Sequence, residues 1–172
     1  MDRWMKIKTD FVTNSSSSSF IVAFPQKIET IDDVEKYIPE KYSHTIFGDA
    51  KEQTPMRFTS KIVLKKLAEE ISNGYIEQED DYMDYETKFC EREGITKKEL
   101  FDNIEWREQM WGEREHRRFD IAENIAINFL KKLNEEHFIY LFHYGDEDGE
   151  YFAEIEHGNI FKSVPSYRIN KH

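Results

Sequence analysis

Apolar residues in this chain change their spacing twice. Phe20, Ile21, Val22, Ala23 and Phe24 run without interruption between Ser19 and Pro25. Such a run predicts a short strand buried on both faces, or nearly so. From Thr30 the period lengthens. Thr30-Ile31-Asp32-Asp33 opens a short helix, with Thr30 as N-cap and the acids at the positive end of the helix dipole, and Pro39 ends it. Residues 41–58 show no period and hold turn material at Gly48, Asp49 and Pro55, which predicts irregular chain. Over 60–73, Val63, Leu67 and Ile71 repeat every fourth position with Leu64 and Ala68 beside them, and Asn73-Gly74 is a stop signal, so a helix with one apolar face is expected.

Residues 75–94 hold eight Asp or Glu against Lys88 and Arg92, with Tyr75, Tyr82, Tyr85 and Phe89 interleaved; a helix over 80–93, closed by Gly94, is predicted. The next start signal is sharper. Thr96 and Glu99 have capping-box spacing, and Ile95 and Leu100 occupy the two positions of a hydrophobic staple. The helix that begins there runs past Phe101, Ile104 and Trp106 to about Trp111, where Gly112 breaks or weakens it. Ile121, Ala122, Ile125, Ala126, Phe129, Leu130 and Leu133 then mark a second amphipathic helix over 118–133, with Lys131 and Lys132 at its negative end.

The last third alternates instead. Phe138-Ile139-Tyr140-Leu141-Phe142-His143-Tyr144, Tyr151-Phe152-Ala153-Glu154-Ile155-Glu156 and Ile160-Phe161-Lys162-Ser163 read as three strands of an antiparallel meander over 137–163. Asp146-Glu147-Asp148-Gly149 and His157-Gly158-Asn159 are its turns. The isolated strand at 20–24 needs ladder partners for its backbone groups, and the meander supplies them. The expected fold is α+β, with 1–172 as one domain: a polar, Ser-rich segment at 1–19, a mostly helical stretch at 30–134, and an antiparallel sheet of about four strands with helices packed on one face.

Composition narrows the function classes. A chain of 172 residues buries enough surface to fold without metal or disulfide. Its 13 Phe, 9 Tyr and 3 Trp supply bulky core material and exclude a disordered chain. Cys90 is the single cysteine, so neither an internal disulfide nor a cysteine zinc site can form; a reducing compartment, the cytoplasm, is expected. No window reaches the roughly 20 apolar residues that span a bilayer. A net charge of −11 disfavours direct contact with nucleic acid or an anionic membrane and suits a basic protein partner.

The opening Lys6-Ile7-Lys8-Thr9-Asp10-Phe11-Val12-Thr13-Asn14-Ser15-Ser16-Ser17-Ser18-Ser19-Phe20 resembles the start of a group of bacterial and phage-like hypothetical proteins. The stretches at 144–149 and 156–161 are similar to a C-terminal pattern in some of them. The resemblance covers about forty of the 172 residues and implies a bacterial origin; it transfers no activity and no catalytic residue.

Several side-chain sets carry candidate chemistry. Asn14, Ser15, Ser16, Ser17, Ser18 and Ser19 read as a flexible solvated loop or, alternatively, as a site that holds an anion through backbone N–H groups and hydroxyls or accepts a modification, although the glycines and lysine of a phosphate loop are missing. His143, Glu154 and His157 fall on neighbouring predicted strands and form a ligand or catalytic site only if the hairpin register brings them together. His116 and Asp120 share a helix face within a charged stretch, and Asp146 and Asp148 lack the distal ligands of a calcium loop; no metal site or cofactor is predicted. Trp106 and Trp111 among Arg107, Arg114, Arg117 and Arg118 have the aromatic–cation mix of a single-strand binder, but Glu105, Glu108, Glu113 and Glu115 cancel the charge. Acidic neighbours hold the Cys90 thiol in its protonated form. The dense acids and tyrosines Glu79, Asp80, Asp81, Tyr82, Asp84 and Tyr85 repel one another on a helix and attract a basic partner. The expected function is therefore an acidic, non-enzymatic interaction protein. The alternative is a small enzyme or ligand binder at His143, Glu154 and His157.

Overall fold

The computed structural model describes residues 17–77, 79, 81–145, 150–157 and 159–171, with the backbone alone at 150, 151 and 153. Of the predicted features, Asn14, Ser15, Ser16, Asp80 and the turn at 146–149 lie outside the described residues.

The apolar run forms β1, Ser17–Phe24. It is one of the two inner strands of a four-stranded antiparallel sheet whose other members are β2 (Met56–Arg57), β3 (Phe138–Gly145) and β4 (Ser166–Asn170), in the order β2-β3-β1-β4. Registers run from Ser17↔Gly145 to Phe24↔Phe138 against β3, and from Ser18↔Asn170 to Val22↔Ser166 against β4. The expected return of the C-terminal chain to residues 20–24 is thus present, and the fold is α+β.

The helices are α1 (Ile31–Glu35), α2 (Glu40–Lys51), α3 (Val63–Ser72), α4 (Tyr82–Glu93), α5 (Lys97–Asp102), α6 (Ile104–Leu130) and α7 (Glu150–His157). They cover both faces of the sheet, not one. Strand side chains alternate in direction, so an unbroken apolar strand has two faces to bury. Phe20, Val22 and Phe24 enter a core with Tyr140, Phe142, Tyr144, Val34, Ile46, Ile155 and Phe161. Ile21 and Ala23 enter another with Leu67, Ile71, Ala122, Ala126 and Phe129.

The C-terminal meander is also corrected. Residues 150–157 are helix α7, and 160–163 form a turn whose Ile160 and Phe161 plug the first core. The alternation at 153–156 reads as a strand, but Phe152 and Ile155, three apart, share a face only in a helix, and both meet the first core. The strand lies further on, in β4. Residues 41–51 are helical as α2, because Tyr42, Ile46 and Ala50 recur every fourth position against the first core.

Local signals before the long helix hold. Thr96 and Glu99 form their capping box, with Glu99 N–H donating to Thr96 Oγ1 and Thr96 N–H to Glu99 Oε1, both at 3.0 Å. Thr30 and Asp33 form another. Gly94 closes α4 at φ +70°, the left-handed region where glycine costs least. The helix break lies at Asn103, whose side chain accepts from Glu105 and Trp106 N–H, and α6 continues through Gly112 for 27 residues, about 40 Å at 1.5 Å per residue. At the sheet edge, Gln53 bonds the β3 backbone twice: Leu141 N–H donates to Oε1 and Nε2 donates to Leu141 O, both at 2.9 Å.

Candidate functional site

The first half of α6 leaves the sheet and packs with α4 and α5 around a third, separate core of Phe89, Cys90, Leu100 and Met110, flanked by Tyr82, Tyr85, Ile95 and Trp106. These three helices form a lobe. In residues 77–117, fourteen Asp and Glu face seven Lys and Arg, an excess of seven within a chain whose whole excess is eleven.

The predicted acidic set divides. Asp81 caps α4 by accepting from Met83 N–H, and Asp84 is exposed in its first turn. Glu79 is 12% exposed and turned inward, paired with Arg118 and lying 3.9 Å from Arg114. Arg118 also donates through Nε to Ser72 O at 2.9 Å and through Nη2 to Gly74 O, so it ties the C-terminus of α3 to α6. Gly74 has to be glycine: an added Cβ would lie 2.6 Å from Asn170 O. Tyr82 and Tyr85 are half-buried against the third core, with Arg114 stacked over Tyr82 at 4.9 Å. Burial raises the Tyr85 pKa, and Glu113 adds to it. Glu86 is buried, 3.8 Å from Lys97.

What the lobe exposes instead is apolar. Met83, Phe101, Ile104 and Trp111 are four of the six large hydrophobic side chains exposed among the described residues. Ile104 and Trp111 are seven apart, so they share the outer face of α6, interspersed with exposed Glu105, Glu108 and Glu115.

The serine run becomes the start of β1. Ser18 is buried and donates to Glu156 Oε2 at 3.0 Å. Arg168 completes the set, its Nε donating to Ser18 Oγ at 2.8 Å and its Nη2 to Glu156 Oε2 at 3.0 Å. His157 Nε2 lies 2.9 Å from Glu156 Oε1. These bonds fasten α7 to the sheet. Ser19 Oγ is 3.0 Å from His143 Nδ1, a cross-strand pair.

His143, Glu154 and His157 do not converge. His143 alternates with Phe142 and Tyr144, so it faces the side of the sheet opposite α7. Glu154 is held by Lys41 Nζ at 2.8 Å and Tyr42 Oη at 2.7 Å, and those bonds, Lys41 first, lower its pKa. The convergence failed with the predicted hairpin: residues on a helix crossing one face cannot meet a side chain on the other.

His116 and Asp120 are an exposed pair 3.6 Å apart. Among the described residues no group of three or more His, Cys, Asp or Glu is placed to hold a metal ion, and no helix is long and apolar enough to cross a membrane. Cys90 is buried; desolvation raises its thiol pKa, and Glu86 adds to it. The Glu79–Arg118 and Glu156–Arg168 pairs escaped the sequence, since no local pattern links partners so placed. The i, i+4 spacing of Trp111 and Glu115 was open to view. Compared with protein-family models, curated proteins and solved structures, the chain matches none.

Proposed function

We propose that the chain is an interaction module that binds a basic protein through the outer face of its helical lobe. The observation that carries this reading is the coincidence of four exposed large apolar side chains with most of the chain's excess acid in one lobe. Apolar anchors supply affinity, and the surrounding carboxylates speed encounter and reject acidic competitors. Asp81 and Asp84 contribute charge, while the contact centre lies on α6 at Ile104, Glu108 and Trp111.

The test places a photo-crosslinking amino acid at position 108 or, as a control on the exposed face of α3, at position 69. The resemblance of residues 6–20 to bacterial proteins points to a bacterial host for the experiment. A discrete basic partner crosslinked from 108, weakened by salt and by Trp111→Ala, is the expected result. Equal crosslinking from both positions, or none from 108, would refute the reading.

A further inference from the structure

Two cavities lie along α6 where it passes the C-terminus of α3. One, of about 210 Å³, is lined by Glu79, Trp111, Arg114, Glu115 and Arg118. The other, of about 260 Å³, is lined by Ser72, Asn73, Glu115, Arg118 and Phe119. Glu115 and Arg118 belong to both, so the two form one groove. At about 30 Å³ per water, each holds several waters, the space of one side-chain head.

The cations in its walls are committed. Arg118 spends its donors on Glu79 and on the carbonyls of Ser72 and Gly74. Arg114 lies over the Tyr82 ring and beside Glu79. Glu115 differs: it is exposed and has no ion pair among the described residues. It stands four residues from Trp111, which is 46% exposed, so carboxylate and indole share one face of α6. The second cavity adds Ser72 and Asn73 at the end of α3, where Arg118 already caps the carbonyls of Ser72 and Gly74. An uncommitted carboxylate and an aromatic face both favour a cation. A planar guanidinium fits best, because it stacks on indole while its donor fork engages a carboxylate.

We propose that this groove is the specificity site of the lobe, taking an arginine side chain of the partner protein. The guanidinium stacks on Trp111 and donates to Glu115. This rests on the reading that the lobe binds a basic protein.

The test uses the full chain, labelled with 15N at its tryptophan indoles and titrated with acetyl-Gly-Arg-Arg-Gly-amide. The dilysine and dicitrulline peptides are controls, and Trp111→Phe assigns the signal. The diarginine peptide should shift the Trp111 resonance at about tenfold lower concentration than the dilysine peptide, as stacking and the bidentate fork require. Dicitrulline should leave it unmoved. Glu115→Gln should weaken diarginine binding about tenfold with an unchanged melting temperature, and Glu69→Gln should leave binding intact. Equal response to lysine and arginine, or undiminished binding in Glu115→Gln, would overturn the proposal. A partner crosslinked from position 108 without arginine binding would sink this inference and leave the broader reading standing. Arginine binding without a crosslinked partner would leave a guanidinium site standing but overturn its assignment to a partner protein.

Discussion

Removing either side of the buried pair that anchors α7 should be costly, and unequally so. Glu156 is 0% exposed, and its Oε2 accepts from both Ser18 and Arg168. Arg168 is 40% exposed along its side chain. Glu156→Gln keeps the shape and removes the charge. Arg168 then loses a charge-assisted bond, worth about 1.5–3 kcal/mol, but part of its guanidinium already meets water and can hydrate further. A loss of about 2 kcal/mol is expected. Arg168→Gln instead leaves a fully buried carboxylate with Ser18 and His157 still beside it, so the cost falls at the low end of the range for breaking a buried pair, about 3 kcal/mol, and still exceeds the Glu156→Gln loss. The double variant should cost less than the two single losses added together, because neither charge remains to be stranded. Urea denaturation followed by circular dichroism measures all three. An Arg168→Gln loss no larger than that of Glu156→Gln, or both within about 0.5 kcal/mol of the parent, would refute the argument from burial.

Three further outcomes follow from local geometry. Thr96→Ala should lower stability by about 1 kcal/mol, the usual cost of an N-cap, and an unchanged denaturation midpoint would mean the capping box contributes nothing. Two glycine-to-alanine changes should have opposite signs: Gly112→Ala, where a Cβ meets nothing within 4 Å, should raise stability by about 0.5–1 kcal/mol, whereas Gly74→Ala, which drives a Cβ against Asn170 O, should lower it by about 1–3 kcal/mol; matching thermal shifts of one sign would contradict this. At high pH the buried tyrosines take over. Desolvation raises the pKa of both Tyr140 and Tyr144, and the Asp49 carboxylate adds to the rise at Tyr144. Their contribution is complete below the unfolded value of about 10 and is lost as pH rises toward the folded values. Urea midpoints should therefore fall between about pH 10 and 11, in step with absorbance at 295 nm; full tyrosine ionisation without loss of stability would count against it.

The parts of the fold that local patterns specify were legible. The run at 20–24 dictated a doubly covered strand, and its lack of a sequence neighbour forced pairing with the C-terminal third. Thr30, Thr96 and Gly94 marked helix ends because caps act within four residues. Residues 150–157 differ from expectation because a four-residue alternation mimics a strand, whereas Phe152 and Ile155 share a face only in a helix, where both meet the first core. Asn103 took the helix break from Gly112 because a side-chain cap terminates a helix while a lone helical glycine only weakens it. The site was harder. Acid density was visible at 77–93, but which acids face inward depends on Arg118, 39 residues from Glu79. The uncommitted Glu115 emerges only once its neighbours' partners are known.

The Gln53 amide has a consequence for the exposed edge of the sheet. Strand β2 pairs with β3 only at Phe138 and Ile139, which leaves the ladder short. At Leu141 the amide offers one donor and one acceptor, as a peptide group would, so a single side chain plays the part of a missing strand. Glutamate has no donor and leucine has neither group, so glutamine alone among residues of that length fills the role. At this edge a polar residue outside the sheet thus occupies backbone groups that a further strand would otherwise pair with, and Gln53→Leu would free them.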